Sequence, residues 1–509
     1  MLSISNERGL ILPKRLNILY PFSALLIGMF ATQVLATIHV FLSNMELFAS
    51  LKAIKDAGYL TIPNQNVMPG LKEFGSAFCG GLFFTFSIGV GISFFSLALA
   101  WVWDRLFFRK RSLLYMFSSL WLLCLIALNF HGLNLFVTLY FLIIPPAVFT
   151  VTARSLSHLG KQSRHRNEIL HIIPVIVLAF FLFWQADGRI FSDFRDTFLL
   201  SNPVGSRIND FYYKYTLYPA EVFKSLDQKM LKTCRVEKIK KIATVRALEK
   251  ILTNYDYIPI TNNMAVDLEV IQINNDFILE NRGQSISSIP SKGFFTNPDR
   301  AIKVFAKKSD THSFFRRLIF RSLLIGLPIS VYVIGHGLIT IFLSLFLKIR
   351  TSSYIASGIC FVLCLILFFS FHLNRSPDIS IDNLPNALTS DRWQERVAAL
   401  KIVDGKRLEI RNFKAYPKLL ASTHIAERYW FIRTLANSQL PATYRDLLNF
   451  LDDPNRNVLT MTFYALGQRG NRQAISEIIN KIQTSNDWYS QWYAYKALRS
   501  LGWKQIKLK

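Results

Sequence analysis

Seven long apolar runs constrain this chain more than any other feature, because each approaches the roughly 20 residues a helix needs to cross a bilayer. They are Leu16–Ser43, Ala77–Trp103, Leu113–Phe130, Leu133–Thr152, Ile169–Ala186, Leu318–Leu347 and Tyr354–His372. None carries Asp or Glu in its interior, and Arg321 lies near an end from which its head can reach water. One such run suits a buried helix of a soluble core, but seven do not. In lipid the backbone must satisfy its own polar groups, so segments of this kind fold as helices. Composition agrees: 51% of residues are hydrophobic and only 18% charged, against about 25% in soluble domains. A disordered chain, a collagen-like fibre and an ordinary soluble enzyme are thereby excluded.

A net charge of +26, from 59 Lys and Arg against 33 Asp and Glu, invites a nucleic-acid reading. The positions of the charges argue for topology instead, with no nucleic-acid partner. Arg105, Arg109, Lys110 and Arg111 cluster in one short loop, and Arg154, Lys161, Arg164 and Arg166 in another. The segment Asn44–Phe74 balances three Lys against three acids. The first run is too long for a signal-peptide core and no clean small-residue cleavage site follows it, so it reads as an uncleaved signal anchor. The excess of basic residues on the inner side puts its amino terminus inside, consistent with a bacterial inner membrane. Lys348 and Arg350 then also fall inside, and seven spans put the carboxyl-terminal domain outside. Were Leu318–Leu347 a re-entrant pair, interrupted at Gly326, Pro328, Gly335 and Gly337, that domain would fall inside.

Within the second run Ala77, Gly81, Thr85, Gly89 and Ser93 recur every four residues, a small-residue ridge that lets helices approach closely. Pro145, Pro146, Pro174 and Pro328 predict kinks, and broken helices line substrate sites in some transporters.

Two stretches are water-compatible. Residues 187–312 predict a small α+β extracytoplasmic insert. It opens on Asp193-Phe194-Arg195-Asp196 and an aromatic tract, Phe211–Pro219, suited to a membrane interface. An amphipathic helix is expected over Lys224–Lys250, then strands at Tyr257–Ile260 and within Val266–Leu279, with Asn274-Asn275-Asp276 as turn. The stretch 382–509 is helical in pattern. Glu427–Asn437, Asn457–Gly467 and Tyr489–Leu501 resemble one another, and polar helices Tyr444–Leu451 and Gln473–Ile482 follow the first two. A two-helix period near 30 is the signature of an α-solenoid.

Asp452-Asp453-Pro454-Asn455-Arg456-Asn457-Val458, continuing to Ala465-Leu466-Gly467, resembles the HEAT repeat in its short bacterial form, related to phycobilisome-lyase repeats. The family's Arg after that Val is replaced by Leu459, and its first Ala by Thr462. The resemblance implies stacked helix pairs and contact with a protein partner. It implies no lyase activity, since nothing matches a chromophore site.

No catalytic signature, Walker-type loop or zinc pattern is present. Cys79, Cys124, Cys360 and Cys364 lie in runs and Cys234 stands alone in the insert, so no disulfide framework is expected. His39, His131 and His372 fall near one membrane surface and His336 within the sixth run, a pattern that could hold haem if the imidazoles converged. No separate metal site is expected. The absence of carboxylates within the runs disfavours an ion-coupled pump.

The sequence therefore predicts a mainly α, polytopic membrane bundle. Its parts are a five-span region (1–186), the insert (187–312), a two-span region (313–374) and the repeat domain (382–509). Its function is membrane scaffolding or assembly, with lipid and a docked protein as partners. The alternatives are an uncoupled transport or channel component and, more remotely, a haem-binding redox subunit.

Overall fold

The computed structural model describes residues 19–130, 132–158, 192–374 and 379–507. The fifth expected span, Ile169–Ala186, lies outside them. The described chain is mainly helical and divides into two compact units. Six described helices are long and apolar enough to cross a membrane: Tyr20–Asp56, Phe74–Arg105, Arg111–Leu128, Leu135–Ser157, Ser313–Leu343 and Ile349–Leu367.

The first unit takes residues up to Leu42, Ala77–Asp187 and Asp310–Ser370. The small-residue ridge packs within the chain. Gly81, Gly89 and Ser93 lie against Thr37, Thr32 and Gly28 of the first helix, an antiparallel register in which a Cβ on Gly28 would overlap Ser93. Without a hydrophobic drive in lipid, such close backbone approach supplies the association energy. One turn of the second helix, Thr85–Gly89, is π-helical. Gln33 reaches it from the first helix, its Nε2 donating to Phe78 O at 2.9 Å while Thr85 Oγ1 donates to Gln33 Oε1 at 2.7 Å. The ridge's other side meets Ser322 and Gly326 at Gly91.

Ser313–Leu343 runs as one helix through Gly326 and Pro328, not as a re-entrant pair. Likewise Leu135–His158 is continuous through Pro145 and Pro146 and carries Arg154 within it, where the sequence reading placed a loop.

The second unit comprises Ser43–Ser76, Gly188–Ser309 and Phe371–Lys509. Its sheet has the order β2-β1-β3-β4-β5, built from β1 (Lys232–Glu237), β2 (Tyr257–Pro259), β3 (Leu268–Ile273), β4 (Asp276–Asn281) and β5 (Gln284–Pro290). β1 runs parallel to β2 and β3, and β3, β4 and β5 form an antiparallel meander. Parallel β1 and β2 need a crossover, supplied by the helix Ile242–Asn254. Val270 opposes Leu279, and with Leu268 and Phe277 they bury one face under Leu248, Leu252, Phe294 and Phe305. The β4–β5 turn uses Arg282 and Gly283 at φ of 49° and 79°, the pair of positive values a tight two-residue hairpin demands. The expected helix over Lys224–Lys250 is corrected: Lys232–Glu237 is a strand and only the later part is helical.

Residues 384–503 form helices throughout. Trp393–Lys406, Ile425–Asn437, Arg456–Arg469 and Trp488–Ser500 pack each on the next, and Pro441–Asn449 and Ile475–Thr484 are the intervening shorter helices. Gly467 is needed where Ala497 Cα would stand 3.1 Å from an added Cβ. Ion pairs join successive long helices. Arg396 Nε donates to Glu427 at 2.6 Å, Arg428 pairs with Asp453, and Arg456 pairs with Asp487 at 2.9 Å. Arginines of the preceding unit thus meet these acids, although Leu459 stands where the repeat pattern has its own Arg.

Candidate interaction surface

The long helices in the 393–500 series present an aromatic and basic surface, and part of it is already covered by the chain itself. The turn Arg195–Leu199, π-helical, aims its acids at that surface. Trp430 Nε1 donates to Asp196 Oδ2 at 2.8 Å, and Lys401 Nζ lies 2.8 Å from Asp193 and 3.1 Å from Asp196. Arg195 pairs with Asp196 at 2.7 Å and stacks its guanidinium 3.8 Å above the Tyr429 ring. Burial opposes that charge, but Asp196 and Tyr429 hold the guanidinium pKa above its ordinary value. Further along, Tyr213 stacks on Tyr489 at 4.4 Å and Tyr218 meets Trp488 edge-on at 5.1 Å. Burial pushes the Tyr213 phenol up to about 12, so it stays a neutral donor.

A second covering segment is Tyr59–Met68. Asn64, buried, donates its side-chain amide to Ile482 O, Gln483 O and Ser485 O at 2.8, 3.0 and 3.0 Å. These carbonyls end the helix Ile475–Thr484, where unmade hydrogen bonds are expected. Gln505 brackets Leu60 from the other side, accepting from its N–H at 3.3 Å and donating to its O at 2.9 Å. Between the sheet and the last long helix, Tyr495 donates to Asp256 at 2.6 Å and Arg499 pairs with the same carboxylate at 3.2 Å.

Less covered are Arg433, Tyr464, Trp492 and Lys496 of the same helices. Arg433 stacks 4.8 Å over Trp430 and 6.0 Å from the Tyr464 ring, which is 39% exposed. Lys496, exposed, lies 3.5 Å over the ring of the half-buried Trp492. Tyr, Trp and Arg in this setting are the residue types that dominate protein–protein binding energy. A cavity of about 260 Å³ opens near Asp452, Asp453, Lys481, Ser490 and Gln491, its two acids held by Lys481 and Arg428.

Of the candidate histidines, the two described, His39 and His336, have different neighbours. His39 is buried with Phe136 stacked on it at 4.4 Å and Phe84 and Tyr140 beyond. His336 contacts Ser353 O and Ser357 Oγ, both at 3.3 Å, and stacks on Tyr332. His131 lies outside the described residues, as does the side chain of His372. A histidine with no role in the sequence reading, His312, joins the His39 end of the bundle and touches Asn134 and Thr311. Among the described residues no group of three or more His, Cys, Asp or Glu is placed to hold a metal ion. Cys234 is buried in β1 and burial raises its thiol pKa, which removes it as a nucleophile.

The sequence reading missed Asn64, Gln491 and Gln505, which no local pattern marks. It quoted Asp193-Phe194-Arg195-Asp196 without a role. No family model matches the chain, and no curated protein or solved structure is similar to it.

Proposed function

We propose that this chain is a membrane-anchored scaffold or assembly protein that docks a protein partner on the exposed part of its helical repeat domain, in keeping with the HEAT-like pattern. The observation that carries this reading is the Arg433, Tyr464, Trp492 and Lys496 patch. It continues a surface that the chain already uses in part for docking, through Asp196 on Trp430 and Tyr213 on Tyr489. A surface that binds one aromatic and acidic segment is chemically suited to a second.

Topology supports the same reading. The three segments of the second unit form one compact body, so they belong on one side of the membrane. Two spans separate the second segment from the third, an even number. Three described spans separate the first from the second, and the apolar run Ile169–Ala186 makes that number even. On this reading the basic loops face inward in a bacterial inner membrane and the repeat domain faces outward.

A photoreactive residue in place of Tyr464, in the full chain and in its native membrane, tests the docking. A discrete protein adduct that Arg433→Glu and Lys496→Glu each abolish is the expected result. Adducts confined to lipid or to the chain itself would overturn it.

A further inference from the structure

The helix Pro203–Tyr215 carries an apolar stripe that is exposed among the described residues of its unit. At about 100° per residue, Val204, Ile208, Phe211, Tyr212 and Tyr215 share one face. The first four are 67, 56, 45 and 51% exposed. The opposite face is fixed inward. Gly205 and Asn209 are buried, and a Cβ on Gly205 would fall 1.9 Å from Phe198 O, so the helix cannot roll to hide the stripe. Asn202 caps it by accepting from Gly205 N at 2.7 Å. Tyr213 points away from the stripe, onto Tyr489.

Charge decides what covers the stripe. Arg207 and Lys214 lie together along one edge, both exposed, and among the described residues neither is ion-paired. Lys214 is exposed and holds its Nζ 5.3 Å from the centroid of the Tyr215 ring. Asp210, the helix's one acid, lies behind that edge and faces Arg456 at 3.9 Å. Apolar and tyrosine side chains beside a basic edge, on a helix with a polar back, are the composition of an element lying in the plane of a lipid surface. A water-soluble acidic protein would match the two cations but would leave five contiguous apolar side chains without reason.

We propose that Pro203–Tyr215 is an interfacial helix whose stripe enters the headgroup–acyl boundary of a bilayer and whose Arg207 and Lys214 engage anionic phospholipid. This rests on the membrane-spanning helices and not on the docking of a partner, so the two stand or fall separately.

The full chain, with benzoylphenylalanine in place of the exposed Ile208 and in a parallel variant Val204, is placed in nanodiscs of phosphatidylcholine with or without phosphatidylglycerol. Mass spectrometry then identifies what the probe has captured. The expected result is a phospholipid adduct at both positions, more abundant with phosphatidylglycerol. Arg207→Glu or Lys214→Glu should each lower it about fivefold in the anionic discs, from the attraction a single basic residue feels at such a surface. Adducts to the same chain, to a second copy or to water alone would overturn the proposal. So would a lipid adduct indifferent to both lipid charge and charge reversal.

Discussion

The backbone N–H of Asn64 donates to Gln491 Oε1 at 2.8 Å, joining residues 427 positions apart. Around this bond the Asn64 side chain closes three carbonyls and accepts from the Asn66 and Val67 amides. One buried side chain thus ties the segment between the first two apolar helices to the carboxyl-terminal helices.

Asn64→Ala should destabilise that connection by about 2–3 kcal/mol, since each net hydrogen bond contributes about 1 kcal/mol and buried carbonyls left unpaired cost more. Limited proteolysis of the detergent-solubilised chain would show cleavage between Tyr59 and Met68 well before global unfolding. Unchanged cleavage kinetics would refute the assignment.

Lys401 holds two carboxylates, Asp193 and Asp196, whose side chains are only 12 and 3% exposed. Lys401→Met takes this cation from both carboxylates, and breaking a buried pair from one side costs roughly 3 kcal/mol. Hydrogen exchange within residues 192–199 should rise strongly, whereas Lys418→Met, at the exposed pair with Asp391, should change nothing measurable.

Asp267 and Lys229 pair at 2.8 Å beneath the sheet, and Asp267 also accepts from Thr233 N at 3.0 Å. Burial opposes both charges, but their mutual attraction prevails. It lowers the Asp267 pKa below its ordinary 3.8 and raises that of Lys229 above 10.5. A carboxylate with a depressed folded pKa stabilises above its unfolded value and loses that contribution as pH falls through the folded one. Asp267→Asn should therefore cost about 2 kcal/mol at neutral pH. The gap from wild type should narrow only below pH 3.8, the ordinary value that the folded state undercuts. Thermal melts across pH would check it, and a gap that closed already near neutrality would contradict the pairing.

In the membrane unit, a Cβ on Gly326 would stand 2.9 Å from the Gly91 backbone, while one on Gly335 meets nothing within 4 Å. Gly326→Val should cost roughly 1–3 kcal/mol or more as overpacking, and Gly335→Ala should be tolerated. Equal thermal stability of the two variants in detergent would show that the Gly91–Gly326 approach is not where these helices are held.

The membrane helices were legible because lipid imposes both length and apolarity, leaving little for tertiary context to decide. The helices of residues 384–503 were legible for a related reason: their apolar residues recur at helical spacing. β1 was not. Lys232 and Thr233 look like surface residues of a helix, yet both are buried in the sheet, with Lys232 Nζ 4.7 Å over the ring of Tyr257 on the neighbouring strand. That placement depends on β2 and β3, and neighbours outvote local propensity. The aromatic tract was read as a single interfacial feature, whereas Tyr213 and Tyr218 turn onto Tyr489 and Trp488 and Phe211 and Tyr212 face outward. Asn64 could not be found at all, because its value lies in carbonyls more than 400 residues away.

The most direct test concerns the side on which the repeat domain lies. One epitope is inserted at the exposed Arg282–Gly283 hairpin turn and another at the carboxyl terminus of the full chain, and antibody access is compared in intact and permeabilised spheroplasts. Both tags should be labelled without permeabilisation, and an amino-terminal tag only after it. Labelling of the hairpin tag and the carboxyl-terminal tag from opposite sides would contradict the single extramembrane body on which the proposed docking function rests.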